Sequence, residues 1–269
     1  MYTELTISSE SEEEAEIILA ELSDFPFESF LTEERGLKAY SREQPEASVR
    51  DYLNSKYAGR SSWKEVEEQN WNVLWEQNFS PVSVDGRITV RAPFHEKSSS
   101  EYDLIVSPKM AFGTAHHATT YMMLSNLLTH PLQGRTVLDI GCGTGILAIF
   151  ASLRGAEKVD AYDYDEWSVA NTIENAGLNS IDNLNMWLGE VDSLPEESYD
   201  FVLANINLNV LLAEMEAYLQ CLKPDGHILF SGILKNDRKA LHDKAISLGL
   251  ALISEQEREN WLQLTYARK

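Results

Sequence analysis

The chain has 269 residues, 43% of them hydrophobic and 24% charged, with 43 acids against 22 bases and a formal net charge of −21 at pH 7. That composition builds a sizeable core and excludes disorder, collagen-like repeats and a disulfide scaffold; the acidic field excludes a phosphate-backbone binder and would attract a basic protein, though taken alone it says no more than solubility. Cys142 and Cys221 are expected as reduced thiols, no apolar run reaches the ~20 residues of a membrane span, and Met1–Glu14 is no basic-then-apolar leader, so a cytoplasmic protein is expected.

From the N-terminus, Tyr2–Ile7 alternates as a strand, and Ser11 with Glu14 forms a capping box for a helix reaching about Leu22. Ser29–Thr32 and Gly36–Ser41 read as short strands around a turn at Glu33–Gly36. Pro45 opens a helix over Glu46–Tyr57, and a strand is expected near Glu65–Gln69. This β-α-β-β-α-β order is the ferredoxin-like arrangement, so residues 1–62 are expected to form a small α+β domain. Trp71, Trp75 and Phe79 fall four apart on one helical face, which makes residues 63–80 a helical linker. Val82–Arg91 alternates about Asp85-Gly86 as a hairpin, and His95–Glu101 reads as an exposed loop.

Beyond Tyr121 helices and strands alternate. The expected helices are Tyr121–Leu128, Ile146–Arg154, Trp167–Ala176, Val210–Leu222 and Asp237–Leu248. The expected strands are Thr136–Ile140, Val159–Tyr162, Asn185–Leu188, Phe201–Ala204 and His227–Ser231, the last after a turn at Pro224-Asp225-Gly226. Leu250–Glu257 and Trp261–Arg268 close the chain as an antiparallel hairpin. Residues 81–269 are therefore expected to form an α/β domain, a doubly wound parallel sheet with an antiparallel terminal edge.

Within that domain Thr136–Gly145 runs a buried strand into Gly141, Gly143 and Gly145 and then into a helix. Glycine permits the tight turn and close ligand approach, and the helix start offers free N–H groups. A dinucleotide fingerprint would carry Gly or Ala where Ile146 stands, so a pyrophosphate is disfavoured. Asp163, 22 residues after Gly141, falls at the carboxyl edge of the next strand, where it can accept both hydroxyls of a ribose; Asp165 is the better helix cap. These features point to a nucleoside-bearing ligand without a pyrophosphate, which S-adenosyl-L-methionine satisfies. Asn205 and Asn207 follow a buried strand beside the same crevice, where an amide can accept from a substrate amine or merely satisfy loop backbone. Thr119 or Thr120 would cap the helix after Met110–Ala118 and face an anion. His116 and His117 lack spaced partner ligands, so no metal site is expected.

Met110–Thr120, the glycines at 141–145, Ala204-Asn205-Ile206, the aromatic linker with Phe79-Ser80-Pro81 and Ser231–Leu234 together resemble the bacterial ribosomal protein L11 methyltransferase family. The glycine loop is common to all class I methyltransferases, whereas Ala111–Thr114 is particular to this family. Two departures stand out. The family usually reads Gly-Thr-His-Pro where this chain has Ala115–Ala118, and Ile-Leu where it has Ile206-Asn207. The resemblance implies that Thr120 holds the methionine part of S-adenosyl-L-methionine, that Gly141 belongs to its binding loop, that Asp163 holds the ribose, and that Asn205 lies by the methyl group and the amine. It also implies N-methylation of lysine ε-amines and the α-amine of a basic large-subunit ribosomal protein, recognised by the N-terminal domain. A monomer without nucleic-acid or membrane binding is expected. The competing readings are methylation of another basic protein, a nicotinamide-dependent oxidoreductase, and a binding module that has lost catalysis.

Overall fold

The computed structural model describes residues 2–9, 11, 14, 15, 18, 21, 22, 25–27, 29–33, 36–41, 45–66, 80–107 and 112–268. The chain divides into two compact units, Met1–Asn78 and Phe79–Lys269.

In the first unit β1 (Tyr2–Ser8), β2 (Ser29–Glu33), β3 (Gly36–Ser41) and β4 (Ser61–Val66) form one sheet, with α1 (Ala47–Lys56) between β3 and β4. The strand order is β2-β3-β1-β4 and every pairing is antiparallel. Leu5, Ile7, Leu37, Ala39, Leu53 and Tyr57 bury together as its core. β4 starts earlier than the sequence suggests because its register is set by β1, with Ser61 opposite Ile7 and Trp63 opposite Leu5. Ser11 Oγ accepts from the Glu14 backbone N–H at 3.1 Å, the capping contact expected there. Much of the helix expected to follow lies outside the described residues, as do Trp71, Trp75 and Phe79 of the linker and residues 67–69.

The second unit opens with β5 (Val82–Val84), β6 (Ile88–Arg91) and β7 (Tyr102–Ile105). β5 and β6 form the expected hairpin, with Val84 opposite Ile88 and residues 85–87 between them; Asp85 and Gly86 both carry positive φ, 50° and 67°, and Arg87 N closes the turn on the Val84 carbonyl at 3.1 Å. β7 then pairs parallel to β6, a strand the sequence reading did not separate from the preceding loop.

The large sheet contains β8 (Thr136–Ile140), β9 (Lys158–Asp163), β10 (Leu184–Leu188), β11 (Tyr199–Asn205), β12 (Leu222–Leu234), β13 (Leu250–Arg258) and β14 (Trp261–Arg268). Its order is β10-β9-β8-β11-β12-β14-β13; the first five are parallel, and β14 runs antiparallel to both β12 and β13. α2 (Ala118–Leu127), α3 (Ile146–Leu153), α4 (Glu166–Leu178), α5 (Leu208–Gln220) and α6 (Arg238–Ser247) cover its two faces. Val137, Phe150, Phe201 and Leu229 pack with α2 and α3 on one face, and Leu138, Val202, Met215, Tyr218 and Tyr266 lie on the other. The alternation along β8 and β11 thus buries both faces, as parallel strands under helices require. The Pro224-Asp225-Gly226 turn lies inside β12, where the pairing with β11 jumps from Leu222 to His227. Both cysteines are free and buried. Among the described residues no helix is long and apolar enough to cross a membrane.

Candidate active site

The strand order reverses between β8 and β11, and a doubly wound sheet opens its ligand crevice at such a point, beyond the carboxyl ends of the strands. Gly141 follows β8, Asp163 ends β9 and Asn205 ends β11. All three line one cleft of about 450 Å³, together with Gly143, Tyr164, Ile206 and Trp261. A second cavity of about 210 Å³ opens from it at Gly141 and Tyr164, lined by Tyr162, Glu190, Val191, Ile206, Glu214 and Tyr218.

The glycine turn is held from several sides. Gly141, Gly143 and Gly145 have φ of 63°, 57° and 75°. A Cβ on Gly143 would lie 2.3 Å from the Phe112 carbonyl oxygen, so this glycine serves the packing of the loop on the 112–114 segment; Gly141 is the one that borders both cavities. Thr144 N donates to the Phe112 carbonyl at 2.9 Å, Thr144 Oγ1 to the Gly113 carbonyl at 2.6 Å, and Thr172 Oγ1 to the Gly143 carbonyl at 2.9 Å. Cys142 contributes a buried thiol that burial pushes up, which keeps it protonated and inert.

Asp163 is 6% exposed; its Oδ2 accepts from Gly143 N at 2.9 Å and its Oδ1 from Asp165 N at 3.0 Å. One backbone donor per oxygen fixes the carboxylate and leaves a further lone pair on each for two hydroxyl donors. Asp165 caps α4, accepting from Trp167 N and Ser168 N at 3.2 and 3.3 Å.

Asn205 donates from Nδ2 to Thr120 Oγ1 at 3.3 Å, while its Oδ1 is shut from water with no partner. Thr120 is fully buried and lines a narrow space of about 10 Å³ with Asp139, Gly141 and Asn205; Thr119 lines the main cleft. Neither threonine caps α2. His117 does, its Nδ1 facing Thr119 N at 3.3 Å and Thr119 Oγ1 at 2.8 Å, so the helix begins at Ala118. His116 turns elsewhere, toward Thr114 Oγ1 and the Ser80 carbonyl. Among the described residues no cluster of three or more His, Cys, Asp or Glu could hold a metal ion.

Phe112, His117, Tyr164, Glu190, Val191 and Trp261 border these cavities without having been singled out as cleft residues in the sequence. Glu190 carried a usable signal, since it follows β10 at the same sheet edge. Trp261 carried none, because only the antiparallel return of β14 brings its first residue to that edge. Among the described lining residues there is no Lys or Arg, whereas Asp163, Asp165, Glu190 and Glu214 are all present. Such walls suit a cationic, nucleoside-bearing ligand and oppose a pyrophosphate.

A family model described as Ribosomal protein L11 methyltransferase matches residues 3–269. The Ribosomal protein L11 methyltransferase of Phocaeicola vulgatus is 37% identical over 279 residues, covering 100% of this chain and 99% of that protein. The protein of the same name from Porphyromonas gingivalis is 40% identical over 260 residues, covering 93% and 90%. The crystal structure of ribosomal protein L11 methylase from Lactobacillus delbrueckii subsp. bulgaricus superposes with a TM-score of 0.64 at 24% identity, over 71% of this chain and 100% of that one, and shows the shared fold.

Proposed function

The chain belongs to the ribosomal protein L11 methyltransferase family, and from that premise we propose that it transfers methyl groups from S-adenosyl-L-methionine to amines of ribosomal protein L11, at lysine ε-amines and the α-amine. The observation that carries the reading is the convergence of Gly141, Asp163 and Asn205 on one cleft that is acidic and free of Lys and Arg among its described lining residues.

The residues present fit that cofactor. Asp163 keeps two acceptor positions for the ribose hydroxyls, and Gly141 leaves the cleft floor bare; a Cβ there would lie 2.6 Å from Ile206 Cγ2. The adjoining cavity, walled by Tyr162, Val191 and Tyr218, suits a flat base. Asn205 Oδ1 is an orphaned acceptor beside the cleft. Gly143 completes the loop through its hold on Asp163, and Thr120 acts at the same end through its bond to Asn205. Bound there, S-adenosyl-L-methionine would supply an electrophilic methyl group, its S–CH3 bond breaking as the N–CH3 bond forms and its sulfur departing as a neutral thioether.

The protein's part is to align and desolvate. A lysine amine of pKa about 10.4 must lose its proton to water before its lone pair can attack, and a neighbouring cation with loss of hydration drives that loss. Asn205 does not serve as the base, since an amide takes no proton at neutral pH; its carboxamide aims the nitrogen. In this reading the first unit, which runs beyond β4 to Asn78 in place of the expected 1–62, recognises the acceptor, and Phe79–Lys269 carries the chemistry. The enzyme works as a cytoplasmic monomer, its net charge of −21 drawing a basic protein rather than nucleic acid. The test is labelling. Purified protein, radiolabelled S-adenosyl-L-methionine and unmodified bacterial large-subunit proteins should give one labelled band, at L11. Label on a different basic protein, or none at all despite cofactor binding seen by calorimetry, would overturn it.

A further inference from the structure

Charge and apolar exposure coincide on one flank of the second unit. From Val159 to Leu222 the sequence holds 13 Asp and Glu and no Lys, Arg or His, in a chain whose net charge is −21. That stretch supplies β9 through α5. Within it α4 is turned inside out. Its buried residues are Ser168, Asn171, Thr172, Asn175 and Ala176, four of them polar. They tie the helix to neighbouring loops: Thr172 Oγ1 donates to the Gly143 carbonyl at 2.9 Å and Asn175 Nδ2 to the Thr144 carbonyl at 2.8 Å. The side toward water carries Trp167, Ile173 and Leu178, 81%, 58% and 37% exposed, and Tyr164 just before the helix is 78% exposed. A helix lying on a sheet ordinarily places these two kinds of residue the other way round. Among the described residues no other large apolar side chain is as open to water as Tyr164 and Trp167.

We infer that the outer face of α4, together with Tyr164, is a docking surface for a lysine- or arginine-bearing segment of the substrate protein, outside the cleft that receives the methylated amine. The inference rests on the methyltransferase reading above and adds a contact surface on the catalytic unit itself. Three observations choose the occupant. The first is continuity: Tyr164 and Asp165 line the cleft, so a protein engaged there lies against the start of α4. The second is charge. Glu166 and Glu174 stand on the exposed side of α4, and the exposed Asp182 and Glu190 flank β10, on which the helix packs, so the complementary partner is basic. The same field repels a second copy of this acidic chain and any nucleic-acid backbone. The third is the kind of side chain on offer. Lysine and arginine place their cations over aromatic faces and lay their stems along apolar surface, so a tryptophan and a tyrosine among carboxylates suit them. Each such ring buries about 150–250 Å² when covered, which makes Trp167 the anchor of the face.

Trp167 is the residue to replace, since it lies outside the cleft lining and stands mostly in water. By calorimetry, Trp167→Ala should weaken binding of unmodified L11 to enzyme loaded with S-adenosylhomocysteine about tenfold, and KM for L11 should rise by the same factor. Both kcat and Kd for S-adenosyl-L-methionine should stay within about twofold, the signature of lost substrate docking. Trp167→Tyr, which keeps a ring, should recover most of the loss. Glu166→Lys should also weaken L11 binding and flatten its dependence on salt. Ile253→Ala removes another exposed apolar side chain, on β13 at the far edge of the sheet, and should change none of these values. The inference is overturned if L11 binds both Trp167→Ala and Glu166→Lys as it binds the wild type, or if the loss falls on the cofactor. A melting temperature lowered by more than about 5 °C in Trp167→Ala would mean that the chain covers this face itself, and also overturns it. Self-association of the wild type that Trp167→Ala abolishes would give the face to a second copy instead. Wild-type enzyme that neither binds nor labels L11 overturns the choice of L11 and this inference with it, whereas labelling of L11 that both substitutions leave intact overturns this inference alone.

Discussion

Asn205 is held by one bond and leaves one bond unmade. Its Nδ2 reaches Thr120 Oγ1 at 3.3 Å, and its Oδ1 is buried without a donor. A lone buried acceptor costs about 1–3 kcal/mol, so its persistence beside a cleft is the mark of a group kept for a ligand. Rotation of an asparagine amide about its terminal torsion is soft, and a small turn brings Oδ1 toward an incoming N–H. Asn205→Ala removes this aiming and nothing else that binds the nucleoside. Turnover of L11 should fall roughly 100-fold, the size of effect that follows misplacement by about an ångström. Cofactor affinity by calorimetry should stay nearly unchanged, and normal turnover in the variant would remove Asn205 from the mechanism.

The turn between β8 and α3 sets the position of every group around it, through Gly143 N on Asp163 and the Phe112 carbonyl on Thr144 N. Gly143→Ala would demand a left-handed backbone at φ +57° and a carbon 2.3 Å from a carbonyl oxygen that is itself bonded. Gly134, at φ +69°, has nothing within 4 Å of the same added carbon. Gly134→Ala should therefore cost only about 1 kcal/mol of backbone strain in urea denaturation, and Gly143→Ala about 2–4 kcal/mol with loss of cofactor binding. Equal costs at the two positions would remove the Phe112 contact from the account. This turn was legible in the sequence because buried strand, spaced glycines and helix follow one another locally, and Asp163 and Asn205 were legible because each closes a strand of the same sheet edge. Elements set by distant partners were not. β7 is defined by pairing with β6 across an intervening loop, β4 takes its start from β1, and α2 begins at Ala118 because a histidine caps it where a threonine was expected. Phe112 and His117 share the Met110–Thr120 segment, but Trp261 joins them only through tertiary packing, so no local spacing could announce the three together.

Across the whole molecule, two polar groups packed near the core pull stability with pH in opposite directions. Asp139 is 1% exposed, its Oδ2 accepts from Ala148 N at 3.1 Å, and burial pushes its carboxyl up to about 7 from 3.8. Between those values the folded chain keeps a proton that the unfolded chain has shed, so this group lowers stability as pH rises through the window. His130 is displaced the other way, down to about 4 from 6.5, first by burial and then by His227 and Arg154. There the unfolded chain holds the extra proton, and stability is lost as pH falls from 6.5 toward 4. The two slopes overlap between pH 4 and 6.5 and oppose one another, which should make the wild-type melting curve shallower over that range than it is once Asp139 is replaced. Replacing one group exposes the other. Asp139→Asn keeps an oxygen for Ala148 N and removes the buried charge, so its melting temperature should exceed that of the wild type by roughly 5 °C at pH 8, with the gap closing near pH 4. Within the variant the melting temperature should now fall steadily below pH 6.5, as the histidine acts unopposed. Thermal denaturation of both proteins from pH 4 to 8 reads this directly. A gap that stays constant across the range would mean that Asp139 is ionised in the fold throughout, held so by a partner rather than kept neutral by burial.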